Sequence, residues 1–315
     1  MLATSRSGSH SLHDSGVLPE FWLQPLDEAS ADHLVSTTYP DLVAGARRRL
    51  LTVAHGNPLA LLELPFALSA VQGPALGEVP AVLPLSERLK AVFGSRITGL
   101  PQPSQRFLLL AALEGVGDLG VLQAASRQAN DGYDLDDLAP AERGQLVHID
   151  EGARRLKFRH PLIRAAVVEN STSGERRAVH AALAHVLVNQ PERRAWHLGE
   201  ATLEPDENVA ALLEHAARIT LRRGDAVGGM RTLIRSADLT PPGPDRARRL
   251  AEAAYVGAES TGALPSAQKL LDNARHTARD LNSSLHTAAA TALLLLNGDG
   301  DVDTAHGLLV AAIEA

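Results

Sequence analysis

AARITLRRGDAVGGMRTL, residues 216–233, is answered by AYVGAESTGALPSAQKLL at 254–271 and by ALLLLNGDGDVDTAHGLL at 292–309. The leading alanines (Ala216, Ala254, Ala292), the glycines (Gly224, Gly262, Gly300) and the closing leucines (Leu233, Leu271, Leu309) all recur every 38 residues. Each unit reads as a helix, a Gly-containing turn, a second helix and a loop such as Thr240-Pro241-Pro242-Gly243-Pro244. The small Ala lets two helices approach closely, and the Leu fills the groove that the approach makes. A period of this size with this logic is tetratricopeptide-like and predicts stacked helical pairs with a binding surface. The last unit ends at Ala315 without a polar capping helix, which predicts an exposed apolar face there.

The composition agrees with helix. Hydrophobic residues make up 45% of the 315 residues and aromatics only 3%, so the core must come from Leu, Ala and Val. There is no cysteine, which excludes a disulfide framework, thiolate zinc sites and a Cys nucleophile. A net charge of −7 lacks the basic surplus from which nucleic-acid binders draw most of their affinity. No apolar run reaches the length of a membrane span, and the Ser-rich start is no signal peptide. The reading is therefore of a soluble, cytoplasmic protein.

Upstream of the repeats the text is more varied. Residues 1–16 read as a disordered tail. Asp27 is an N-cap for a helix over 28–36, a second helix runs from about Asp41 to Ala54, and His55-Gly56-Asn57-Pro58 is a turn between helices. Residues 71–84 are Pro/Gly-rich and read as a linker. Ser86, Ser104, Asp118 and Asp134 then start four helices, the last running toward Leu146. Residues 146–149 and 156–159 form a short hairpin, and His160-Pro161 opens a helix over 162–168. Helices followed by a small hairpin is winged-helix order. The fold class is thus mainly α: a small helical segment (17–84), a winged-helix-like domain with one short β-hairpin (85–190), and a tetratricopeptide-like α-solenoid (191–315).

GNPLALLELP at 56–65, LPLSERL at 83–89, LDDLAPAE at 135–142, FRHPLIRAAV at 158–167, ERRAVHAALA at 175–184 and RRAWHL at 193–198 resemble, in order and spacing, the large ATP-binding transcriptional regulators of the LuxR type, a class of signal-transduction ATPases. The resemblance implies a P-loop core, a small helical domain, a winged helix, a tetratricopeptide-like sensor and a C-terminal helix-turn-helix. This sequence has no G-x-x-x-x-G-K-[ST], no Walker B acid before Gly56, and nothing after Gly300 like the DNA-binding module. It looks like the truncated middle of such a regulator, with Leu18–Leu26 as the last strand of the ATPase core. The resemblance also implies two cofactor contacts. Gly56 and Pro58 match the turn that lies against adenine, and His160 matches the residue that touches the ADP phosphate. Without the P-loop, only a vestigial ADP or ATP contact is expected.

Other side chains carry less. The segment before the hairpin sets Asp134, Asp136, Asp137 and Glu142 against Arg143, which argues against direct DNA binding. His180 and His185 fall on different faces of a helix and no H-E-x-x-H occurs, so no metal site is expected. The pairs Arg176-Arg177, Arg193-Arg194, Arg222-Arg223 and Arg248-Arg249 read as solvated helix faces, and Trp196 with Leu198 as packing of the first repeat. No nucleophile elbow or paired acid marks an enzyme. The expected function is a regulatory module whose repeats bind an effector or a protein partner. The alternative is one part of an active ATP-dependent regulator whose P-loop and helix-turn-helix come from separate chains.

Overall fold

A computed structural model describes residues 24–40, 42, 44–62, 64–65, 87–128, 133–261, 264–277, 285–297 and 301–314. The tail at 1–16, the strand expected at 18–26 as far as residue 23, the linker at 71–84, Ser86, Gly262 and Gly300 lie outside these residues. The described chain is mainly helical with one two-stranded antiparallel hairpin. It separates into two compact units, Met1–Val179 and His180–Ala315.

In the first unit, α1 (Glu28–Thr38) starts where Asp27 accepts the Ser30 amide at 2.7 Å, and it packs on α2 (Ala44–Ala54). A further helix occupies 58–65 where described. Then come α3 (Glu87–Thr98), α4 (Gln102–Glu114) and α5 (Leu119–Gln128). Asp118 caps α5 as expected, accepting the amides of Gly120 and Val121 at 2.8 and 3.0 Å. Ser104 is not a cap. α4 begins two residues earlier, with Pro103 fitting its first turn, and the Ser104 hydroxyl donates to the Asp137 carbonyl at 2.6 Å.

The helix expected from Asp134 toward Leu146 is instead two short pieces, a 3₁₀ turn over Leu135–Leu138 and α6 (Ala139–Arg143). Asp134 and Asp137 cap each other's backbone in a reciprocal box. This local closure competes with a longer helix, and the Asp acids serve the turn. The hairpin pairs β1 (Val147–Asp150) with β2 (Arg155–Phe158), Val147 opposite Phe158. α7 (Pro161–Glu169) follows and packs on both α3 and α4. Phe107, Leu108 and Leu110 of α4 and Leu162 of α7 are fully buried, each contributing about 1.5–3 kcal/mol over an exposed side chain. α8 (Ser173–Val186) follows, its N-terminus closed by the Thr172–Glu175 capping box and its residues from His180 onward belonging to the second unit.

In the second unit, α9 (Pro191–Ala201), α10 (Glu207–Arg222), α11 (Ala226–Asp238), α12 (Pro244–Val256), α13 (Leu264–Thr277), α14 (Leu285–Asn297) and α15 (Val302–Glu314) each pack against the next in sequence. A π-helical turn, Gly257–Thr261, closes α12. The spacing seen in the sequence has a physical counterpart. Ala216, Ala254 and Ala292 are buried on α10, α12 and α14, and Leu233 and Leu271 are fully buried on α11 and α13. At the end of the described chain the pattern changes: Leu309 is half-buried, and Val302, Val310 and Ile313 of α15 are exposed. Trp196 and Leu198 are both half-buried on α9. Among the described residues no helix is long and apolar enough to cross a membrane.

Candidate functional site

The turn at 54–58 is built by two left-handed residues, His55 (φ 48°) and Gly56 (φ 69°). Gly56 is required twice over. Its φ disfavours any side chain, and a Cβ there would lie 2.3 Å from the Leu26 carbonyl oxygen. That closeness is used, because the Leu26 amide donates to the Gly56 carbonyl at 2.9 Å. Asn57 caps the next helix, its Oδ1 accepting the amides of Leu59 (3.0 Å) and Ala60 (3.3 Å). Pro58 is exposed at the first position of that helix.

His160 reaches this turn from the other side of the sequence. As the N-cap of α7 its Nδ1 accepts the Leu162 amide at 3.1 Å. Its Nε2 lies 3.1 Å from the Ala54 carbonyl oxygen. A carbonyl can only accept, so the proton sits on Nε2 and the neutral tautomer is fixed by its two partners. The ring stacks on Phe93 of α3, centroids 6.5 Å apart and nearly parallel, and meets His55 edge-on at 6.0 Å. Burial pulls the His160 pKa below its ordinary value, the bond to Ala54 raises it, and the charge of His55 lowers it; the net shift is downward.

The structure therefore brings Gly56 and His160, 104 residues apart in sequence, to one place. Pro58 heads the helix that leaves it. Both His160 nitrogens are occupied in this state, so contact with a phosphate would require Nε2–H to leave the Ala54 carbonyl.

Two buried polar clusters of the second unit were not legible in the sequence. The Arg248-Arg249 pair is not a solvated face. Arg249 is 2% exposed, its Nε donates to Glu214 at 2.7 Å, and its Nη atoms donate to Glu207 at 2.6 and 2.9 Å. Arg248 makes a second pair of bonds to Glu214, at 2.8 and 3.0 Å. Burial raises the Glu214 pKa, but the bonds and charges of Arg248 and Arg249 outweigh it and hold the carboxyl down at about 2. The cluster ties α10 to α12. A period of 38 shows that residues recur, but not that positions 34 and 35 further on carry the countercharge. Of the other arginine pairs, Arg223 bonds Glu192 at 2.8 Å and Arg176 bonds the Ser171 carbonyl at 2.7 Å.

The second cluster is His180 of α8 with His197 of α9, both buried, Nδ1 to Nδ1 at 2.8 Å. With centroids 5.0 Å apart and planes tilted by 40°, the two Nδ1 atoms face each other, one ring's Nδ1–H donating to the other's Nδ1 lone pair, instead of converging on a third atom. Burial first, then the charges of His180 and Arg193, push the His197 pKa down to about 3. Among the described residues no three His, Asp or Glu side chains group as metal ligands. Comparison with known proteins gives no matching family model, no matching curated protein and no matching solved structure.

Proposed function

We propose that the chain is a regulatory interaction module of the LuxR-type ATP-binding regulators, binding an effector or protein partner through its helical repeats. It carries no nucleotide cycle of its own and acts in the cytoplasm. The single observation behind this reading is the phase of the second unit. Buried Ala216, Ala254 and Ala292 alternate with buried Leu233 and Leu271, as a tetratricopeptide-like stack of helical pairs requires. Helices α4 to α6 with the β1–β2 hairpin and α7 fit a winged-helix-like domain, whose Asp134 and Asp137 acids are spent on a cap and offer nothing to DNA. Binding would shift the population of arrangements and so pass a signal on.

Photocrosslinking separates the units. Leu212 on α10 is 45% exposed and Val116 in the first unit 43%, so a crosslinker at either position sees solvent equally. In cells, a discrete adduct from position 212 and none from 116 is expected. Adducts from 116 alone, or the same smear from both, contradict the assignment of recognition to the repeats.

A further inference from the structure

We infer that His160 is a proton-released latch: neutral, it ties the 54–57 turn to the start of α7; protonated, it cannot hold both ends. The inference rests on bond geometry and does not depend on the regulatory reading above. The ring has one proton and one lone pair, and both are committed. Nε2–H reaches the Ala54 carbonyl at 3.1 Å, and the Nδ1 lone pair takes the Leu162 amide at 3.1 Å. A second proton can go only to Nδ1. It would turn that acceptor into a donor facing another donor, so the cap of α7 is lost. Phe93 lies nearly parallel to the ring so held.

The groups around the ring set the direction of the device. Among the described residues, the titratable group that faces it is His55, from the turn itself, edge-on at 6.0 Å, and the charge of His55 disfavours a second positive charge on the ring. Phe93 of α3 brings no charge. On α7, Arg164 is turned away, its Nε donating to the Ala112 carbonyl at 2.7 Å, and Arg159 before the cap is exposed. With burial as the leading cause, the latch stays shut at neutral pH and opens on acidification. What it releases is the segment around Leu26, whose amide is held by Gly56 two residues beyond Ala54.

Nitrogen NMR of the imidazole and amide hydrogen exchange on the full chain test the latch together. At pH 7.5 His160 is expected as the Nε2–H tautomer. Between pH 7.5 and 5, after correction for intrinsic exchange, protection at the Leu162 and Leu26 amides should fall at least tenfold. His160→Asn, whose Oδ1 can cap Leu162 at any pH, should remove that pH step, and His55→Gln should keep it. An Nδ1–H tautomer at neutral pH overturns the proposal. So does protection that stays flat to pH 5, or an unchanged step in His160→Asn. Should the Asn variant not fold, the tautomer and the His55→Gln profile decide the matter alone.

Discussion

Glu214 accepts from three arginines on two helices while remaining 6% exposed, and that concentration of charge gives it a defined acid response. Its folded pKa is depressed to about 2 from an ordinary 4.5, so its stabilisation is complete above pH 4.5 and is lost as pH falls toward 2. His197 works in a higher window. It is kept neutral in the fold, with a pKa of about 3 against 6.5 when unfolded. The unfolded chain therefore takes the proton first, and stability present above pH 6.5 declines below it, by up to about 1.4 kcal/mol per pH unit. Urea unfolding of the second unit as a function of pH should show loss beginning near 6.5 and steepening below 4.5. Glu214→Gln should cost about 1.5–3 kcal/mol at pH 7, because Arg249 loses one charged acceptor while keeping Glu207, and it should remove the lower window. Neither group could be singled out beforehand. Arg248-Arg249 looks like many exposed pairs, and only the packing of α10 near α12 shows that one of them is inside. His180 and His197 meet across a turn that separation in sequence does not reveal.

Helices and turns were legible where a side chain closes its own backbone. Asp27, Asp118 and the His160-Pro161 start all behave as their residue types require. Ser104 misleads because Pro101 and Pro103 favour an earlier start, and Asp134 misleads because its capping box completes a tight turn instead of a long helix. The glycines of the turns separate two costs that φ alone confuses. Gly117 (φ 78°) and Gly224 (φ 87°) are both left-handed. A Cβ on Gly117 would lie 2.0 Å from the Leu156 carbonyl oxygen, where the chain pairs with β2, while one on Gly224 meets nothing within 4 Å. Gly224→Ala should cost about 1 kcal/mol, the price of the backbone conformation. Gly117→Ala should cost at least about 2–3 kcal/mol, because the hairpin must also move. Thermal unfolding of the two variants side by side checks the difference, and equal losses would contradict it.

For the whole molecule, the repeat text decides most of what was legible. An interval of 38 residues kept by three residue types predicts buried Ala and Leu at that spacing; Ala216, Ala254, Ala292, Leu233 and Leu271 are buried and Leu309 is half-buried. The turn at Gly56 and the helix start at His160 were legible as local structure, and their meeting was not. A sequence can mark a turn and a helix-starting histidine, but it cannot show that the histidine spends both nitrogens on Ala54 and Leu162. That geometry sharpens the functional reading. With Nε2–H on Ala54 and Nδ1 on Leu162, His160 has no donor to offer a phosphate in this state. Calorimetric titration of the full chain with ADP and ATP tests this most directly. The account predicts no binding tighter than about 1 mM, or roughly −4 kcal/mol. Micromolar binding that disappears in His160→Ala would contradict it.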